Sequence, residues 1–260
     1  MKPWALITGA SSGIGKAVAL ELAGCGYNLF LAAIDDQPLH DVGAECRRAH
    51  HVETILRVCD LADAQAVDSL VQQMAAAAVD FEILVNNAGF AVGGKFAETD
   101  LVRELSLLNL QLTATVKLTK AVLPGLIARQ RGRILNVASV YAFAPVPFQA
   151  VYSACKAFLL WFSESLAEEL TGTGVTVTAL CPGTTRTEFR ARAGIPEKNP
   201  NAGISPEALA RIAVRQTLRG KRLVVPGLAN RLFVFVTRRL PVSFVPRLTR
   251  RINAVRGVSN

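Results

Sequence analysis

Short apolar runs alternate along this chain with longer stretches in which apolar residues return every three or four positions. The runs at 4–8, 28–33, 54–58, 82–85, 132–137, 174–180 and 222–225 are rich in Val, Ile, Leu and Phe and have the length of strands. The stretches near 14–25, 38–49, 63–77, 98–127, 149–171 and 205–219 carry helical periodicity. Strands buried on both faces read as continuous apolar runs, and parallel neighbours need a crossover long enough to hold a helix. The alternation therefore predicts an α/β fold, a doubly wound parallel sheet of about seven strands with helices on both faces and right-handed crossovers.

The first strand runs straight into Gly9-Ala-Ser11-Ser12-Gly13-Ile14-Gly15, and an apolar-periodic helix follows from Lys16. Strand, glycine turn and helix together make an anion site. Glycine permits the tight turn and lets the backbone approach a pyrophosphate, while the unpaired amides and the positive end of the helix point at it. The spacing is Gly-x-x-x-Gly-x-Gly rather than the commoner Gly-x-Gly-x-x-Gly, so the turn alone is weak evidence and its place between strand and helix gives it meaning.

Farther along, Tyr152 and Lys156 are four residues apart in a predicted helix, which stacks phenol and ammonium on one face. A cation beside a phenol favours the phenolate, so the pair is expected to lower the pKa of Tyr152 and ready it for proton exchange nearer neutral pH. Ser139 lies upstream in Asn-Val-Ala-Ser.

These motifs, with Asp60-Leu61, Asn86-Asn87-Ala88-Gly89, Asn109 and Pro182-Gly183, stand in the order and at the separations of the short-chain dehydrogenase/reductase family, which the chain resembles from about residue 3 to 225. The resemblance implies a single-domain Rossmann fold and an NAD(P)-dependent oxidoreductase acting on a carbonyl or secondary alcohol. Tyr152 is then the general acid/base, Lys156 the residue that supports it and the nicotinamide ribose, and Ser139 the holder of the substrate oxygen. Asn109 would support a water-linked proton path to Lys156. The resemblance also places Gly9, Ser11, Ser12, Gly13, Ile14, Gly15, Asn87, Ala88 and Gly89 against the dinucleotide, Asp60 and Leu61 at the adenine, and Pro182, Gly183, Thr185 and Thr187 beside the nicotinamide. Two other readings use the same residues: a dinucleotide-binding regulatory protein that has lost the chemistry, and an epimerase or dehydratase with the same Tyr/Lys pair.

The end of the second strand speaks to the choice of dinucleotide. The place where NAD-specific relatives carry an acidic residue holds Ala33, and the two places where NADP-specific ones carry a basic residue hold Ile34 and Ser12. Asp35 and Asp36 follow at once, and a carboxylate there accepts from ribose hydroxyls and repels a 2′-phosphate. NAD(H) is therefore favoured over NADP(H), with Asp35 as the contact.

Composition narrows the picture. No Pro/Ser/Gly-rich linker or internal repeat divides the 260 residues, and 51% apolar residues are ample for one core. The glycine turn interrupts the first apolar run too early for a signal peptide, and no segment has the length of uninterrupted apolar residues that a span requires. The cysteines at 25, 46, 59, 155 and 181 form no ligand pair, so no metal is expected, and unpatterned thiols suit a cytoplasmic protein.

Charge is uneven. Residues 1–207 carry 17 Lys and Arg against 20 Asp and Glu, net −3, whereas the rest carries 12 Lys and Arg and no acidic residue. We take 1–226 as the catalytic domain and 227–260 as a basic, apolar extension. That extension is expected either to pack as short helices on the domain or on a second subunit, or to lie peripherally through 227–256 on an anionic inner membrane surface, with Phe233, Phe235 and Phe244 among the lipid tails. Nothing resembles a nucleic-acid recognition motif, so no nucleic acid is expected. The lid is placed at 184–204. Val140, Tyr141, Phe143, Pro145, Val146, Pro147 and Phe148 are expected to give an apolar pocket for a small-molecule substrate. The helix bearing Tyr152, apolar nearly all round, suits burial between subunits of a homodimer or homotetramer.

Overall fold

The computed structural model describes residues 2–193 and 202–255. The elements follow in the order β1 (Trp4–Thr8), α1 (Gly13–Gly24), β2 (Asn28–Ala33), α2 (Asp36–His50), β3 (Thr54–Val58), α3 (Ala64–Ala76), β4 (Phe81–Asn86), α4 (Leu101–Leu108), α5 (Ala114–Ala128), β5 (Gly132–Val137), α6 (Ala150–Glu169), β6 (Val175–Leu180), α7 (Phe189–Arg192), α8 (Pro206–Leu218), β7 (Leu223–Val224), α9 (Leu228–Thr237) and α10 (Val245–Val255). A π-helical turn, Asn109–Thr113, joins α4 to α5, and a 3-10 turn, Val140–Phe143, follows β5.

All seven strands are parallel, in the order β3-β2-β1-β4-β5-β6-β7. Alternate side chains of each strand enter opposite layers, as the two-residue period requires. Ala5, Ile7, Leu29, Leu31, Ile83, Val85 and Leu135 join the layer made with α1, α2 and α8. Leu6, Phe30, Leu84 and Ile134 join the one made with α3, α5 and α6. Every residue of β2 is buried, which is why its sequence shows no polar alternation.

The strand order reverses between β1 and β4, and here the two carboxyl ends are stitched together. The Thr8 hydroxyl donates to Val85 O at 3.1 Å and accepts from the amides of Asn87 and Ala88 at 3.0 and 3.1 Å. Asn87 Nδ2 donates back to Thr8 O at 2.9 Å and Gly9 O at 3.3 Å. One strand over, Asn86 Nδ2 donates to Asn136 Oδ1, whose own amide reaches the Ser163 hydroxyl on α6, each at 2.8 Å. These buried hydrogen bonds hold three strand ends and a helix in fixed relation, with Asn86 Oδ1 left without a partner among the described residues. In an open parallel sheet, the carboxyl edge at such a reversal is where ligands bind.

The single helix expected over 98–127 is two helices joined by the π turn, and the first begins at Leu101, capped by Asp100, whose carboxylate accepts from Val102 N at 2.8 Å. The extension forms the two short helices α9 and α10. Residues 194–201 of the expected lid and 256–260 lie outside the described residues.

Candidate active site

A cavity of about 840 Å³ opens along the carboxyl edge. One end is the glycine turn. Gly9 has φ +63, and a Cβ on it would meet Ala88 Cα at 2.9 Å; a Cβ on Gly15 would fall 2.0 Å from Gly9 O. Neither position admits a side chain, so β1, the turn and α1 close tightly and the turn's backbone faces the cavity. Ser12 precedes α1 without placing its side chain on the first amides, which leaves them for an anion.

Around this end lie Ser11, Ser12, Gly13, Ile14, Asn87, Ala88 and Gly89, while Gly15 shapes the turn from behind without lining the space. Asp35 borders it too, and accepts from Ser11 Oγ at 3.2 Å. β2 ends at Ala33, as expected, and Ile34 is exposed. Asp60 and Leu61 form the adjoining wall, with Asp60 Oδ1 accepting from Ala62 N at 2.9 Å, so this aspartate builds its own turn as well as facing the cavity.

Ser139, Tyr152 and Lys156 line the other end, with Pro182, Gly183, Thr185 and Thr187. All three side chains are buried. Lys156 Nζ donates to Val137 O at 2.9 Å, which aims the ammonium at the end of β5, and lies 5.5 Å from the centre of the Tyr152 ring. Tyr141 meets that ring edge-on, and Phe189 tilts against it at 5.8 Å between centroids. Ser139 Oγ accepts from Tyr141 N at 3.2 Å, which fixes the serine at the start of the 3-10 turn.

The electrostatics of the pair differ from the expectation. Burial pushes the Tyr152 phenol above its ordinary value, and the hydrogen bond with Ser139 only partly opposes it; Lys156 is not among the causes. Burial likewise lowers Lys156, to about 8. Both groups sit among apolar side chains and the ammonium is engaged by a carbonyl, so desolvation outweighs their mutual attraction. The site as built holds a protonated phenol, a donor, beside an ammonium that gives up its proton easily.

Asn109 does not join the other three. It opens the π turn with its side chain exposed, and it does not line the cavity. Successive helical residues differ by about 100° in direction, and the face turned to the cavity is that of Ser106 and Leu110. The buried polar group of this turn is Gln111, whose Nε2 donates to Phe90 O at 2.8 Å behind Gly89.

Of the apolar residues expected after Ser139, Val140 and Tyr141 line the cavity. Phe143 packs under α6 instead, and Phe148, at φ +66, packs in the cluster that contains Tyr152. Phe90, Ser106, Leu110 and Gln149 also line it and were not anticipated. Only Gln149 had a signal in sequence, a polar residue three positions before Tyr152.

The family profile described as short chain dehydrogenase matches residues 3–198. Among curated proteins, the chain is 38% identical to the very-long-chain 3-oxoacyl-CoA reductase of Laccaria bicolor over 67% of this chain and 52% of that one, so it spans about half the length of that relative. It is 30% identical to dehydrogenase/reductase SDR family member 7B of Xenopus laevis over 95% of this chain and 80% of the other. Among solved structures, a short-chain dehydrogenase from Sphingobium yanoikuyae in complex with NADPH superposes with a TM-score of 0.83 at 33% identity, covering 91% of this chain and 93% of that one.

The shift of Lys156 has a consequence for stability. Below about pH 8 the lysine is charged in folded and unfolded chains alike, and burying the charge opposes folding. Between there and the ordinary value of 10.5 the unfolded chain binds the proton and the folded one has released it, so stability rises with pH. Urea titrations should show wild type gaining on Lys156→Met across this window by up to about 1.4 kcal/mol per pH unit. A constant difference would show that the ammonium is not desolvated.

Proposed function

The chain belongs to the short-chain dehydrogenase/reductase family, and we propose that it is an NAD(P)-dependent oxidoreductase that interconverts an apolar carbonyl compound and the corresponding secondary alcohol. One observation carries the reading: Ser139, Tyr152 and Lys156 converge on the same cavity as the glycine turn. Residues 1–226 form the catalytic domain, and 227–260 extend it.

The residues present fit the dinucleotide. The turn from Gly9 to Gly13 and the open start of α1 suit its pyrophosphate, Asp60 and Leu61 its adenine, and Asn87 to Gly89 the adjoining nucleoside. Gly183 and the threonines Thr185 and Thr187 suit its nicotinamide end, where Lys156 is available to the ribose. When bound, the nicotinamide supplies a hydride to the carbonyl carbon or accepts one from the alcohol.

The protein's own part is the proton. In reduction, Ser139 Oγ holds the substrate oxygen, and Tyr152 Oη releases its proton to that oxygen as charge develops there. Burial keeps the phenol protonated, which suits this direction. Oxidation needs the phenolate, and the reverse transfer is then favoured at alkaline pH. Proton release from Lys156, near pH 8, makes it a relay partner for the phenol. Asn109 has no part in this arrangement. Tyr141, Phe189, Phe90 and Leu110 give the substrate end an apolar wall, while Gln149, buried beside them, is open to a second polar group on the substrate.

For the dinucleotide we favour NAD(H). The Asp35 carboxylate borders the adenosine end and disfavours a 2′-phosphate, even though the Sphingobium relative holds NADPH. Oxidation of NADH and NADPH should be followed separately against a panel of apolar ketones and aldehydes. We expect higher kcat/KM with NADH, an advantage reduced in Asp35→Ala, and a loss of about 100-fold or more in kcat for Tyr152→Phe. Equal turnover in Tyr152→Phe would overturn the mechanism, and preference for NADPH unmoved by Asp35→Ala would overturn the cofactor assignment.

We also assign a homo-oligomer, built on the face of α4 and α6. The two helices pack together and expose Leu101, Val102 and Leu105 on one, Phe158 and Trp161 on the other. Trp161 is 70% exposed, an unusual state for so large an apolar side chain. Light scattering should report a dimer or tetramer that Trp161→Glu dissociates; a monomeric wild type would refute the assignment.

A further inference from the structure

α9 has two unlike faces. Its inner side, with Val234 and Thr237 buried and Phe233 half-buried, packs on the 3-10 turn after Ser139. Phe233 is thus committed to the protein and not, as expected, to lipid. Its outer side carries Leu228, Leu232, Phe235 and Val236, an i, i+4, i+7, i+8 stripe that is 82%, 63%, 52% and 36% exposed. The connection to α10 adds Leu240, Val242 and Phe244, all exposed. Arginines 231, 238, 239, 247, 250 and 251 are exposed around this surface, and no acidic residue follows Glu207 to neutralise them.

We propose that this surface docks on an anionic lipid bilayer, with the stripe in the acyl boundary and the arginines at the phosphates. The charge selects the occupant. A two-fold copy would set arginine against arginine around the same apolar stripe, and a nucleic acid has no use for the stripe. An anionic bilayer satisfies both components at once. Among the described residues no helix is long and apolar enough to cross a membrane, so the contact is peripheral.

The inner side ties this surface to the active site. Arg238 lies over the Phe143 ring at 6.0 Å, Arg250 over Phe148 at 5.7 Å, and Thr249 Oγ1 donates to Pro145 O at 2.8 Å. Asn230 presses on Gly183, where a Cβ would meet its Oδ1 at 2.3 Å. The segment that follows Ser139 is therefore clamped between the cavity and the docking surface, which brings the substrate end close to the source of an apolar, membrane-dissolved substrate.

The full chain should be floated with vesicles of phosphatidylcholine alone and of phosphatidylcholine with phosphatidylglycerol, at low and high salt. Two variants accompany it: Leu232→Ser/Phe235→Ser/Phe244→Ser, and Arg231→Gln/Arg247→Gln/Arg251→Gln, with circular dichroism as the check of fold. We expect wild type to float with the anionic vesicles, and high salt, neutral lipid or either variant to lower the bound fraction about 10-fold or more. No flotation, equal flotation on both lipids, or unchanged flotation of the apolar variant would overturn the proposal. So would a lipid-free oligomer that the apolar variant dissolves, since the stripe would then be covered by a second copy. No turnover is measured, so the outcome is independent of the catalytic assignment.

Discussion

The Thr8 hydroxyl, at the reversal of strand order, meets a carbonyl and two amides and so determines how closely β1 and β4 end. Everything at the carboxyl edge depends on that seam. Gly9 turns away from it with its backbone against Ala88, Gly15 lets the first turn of α1 pass Gly9 O in the space left by an absent Cβ, and the Asn87 amide bonds the carbonyls of Thr8 and Gly9. The same edge, one and two strands over, presents Ser139 after β5 and Pro182 after β6. A cavity with an anion cradle at one end and a phenol at the other follows from parallel strands ending in register, with no separate domain to form it.

The chemistry assigned to Tyr152 rests on a balance between burial and charge. A phenol and an ammonium one helical turn apart suggest mutual stabilisation of their charged forms, which would be the case in water-exposed surroundings. Here both groups are buried, Tyr152 against the rings of Tyr141 and Phe189, and both are driven towards neutrality. A neutral phenol is a proton donor, which is the part that the proposed reduction assigns to Tyr152.

Much of this was legible in sequence because the determinants are local. Apolar runs bounded by glycine or helical periodicity gave the strands and helices nearly to the residue, and the Gly9 turn and the Tyr152/Lys156 spacing each carry their geometry within a few positions. What escaped depends on tertiary context. The phase of Asn109 is set by a π turn that no periodicity announces. The direction of the Tyr152 shift is set by rings that come from the 3-10 turn and α7. Phe233 and Phe235, two residues apart in an equally apolar stretch, take opposite faces of α9, and only the packing on Val140–Phe143 decides which is inward.

Calorimetric titration with NADH and NADPH, comparing wild type with Gly15→Ala, tests the central claim that the β1/β4 seam is a dinucleotide site. The added methyl would sit 2.0 Å from Gly9 O and 2.5 Å from Asn87 Nδ2, so the turn must open. The account predicts one dinucleotide bound per wild-type chain, with binding lost in Gly15→Ala while circular dichroism still reports the sheet and helices. Equal binding by both proteins, or binding of neither dinucleotide by wild type, would contradict it.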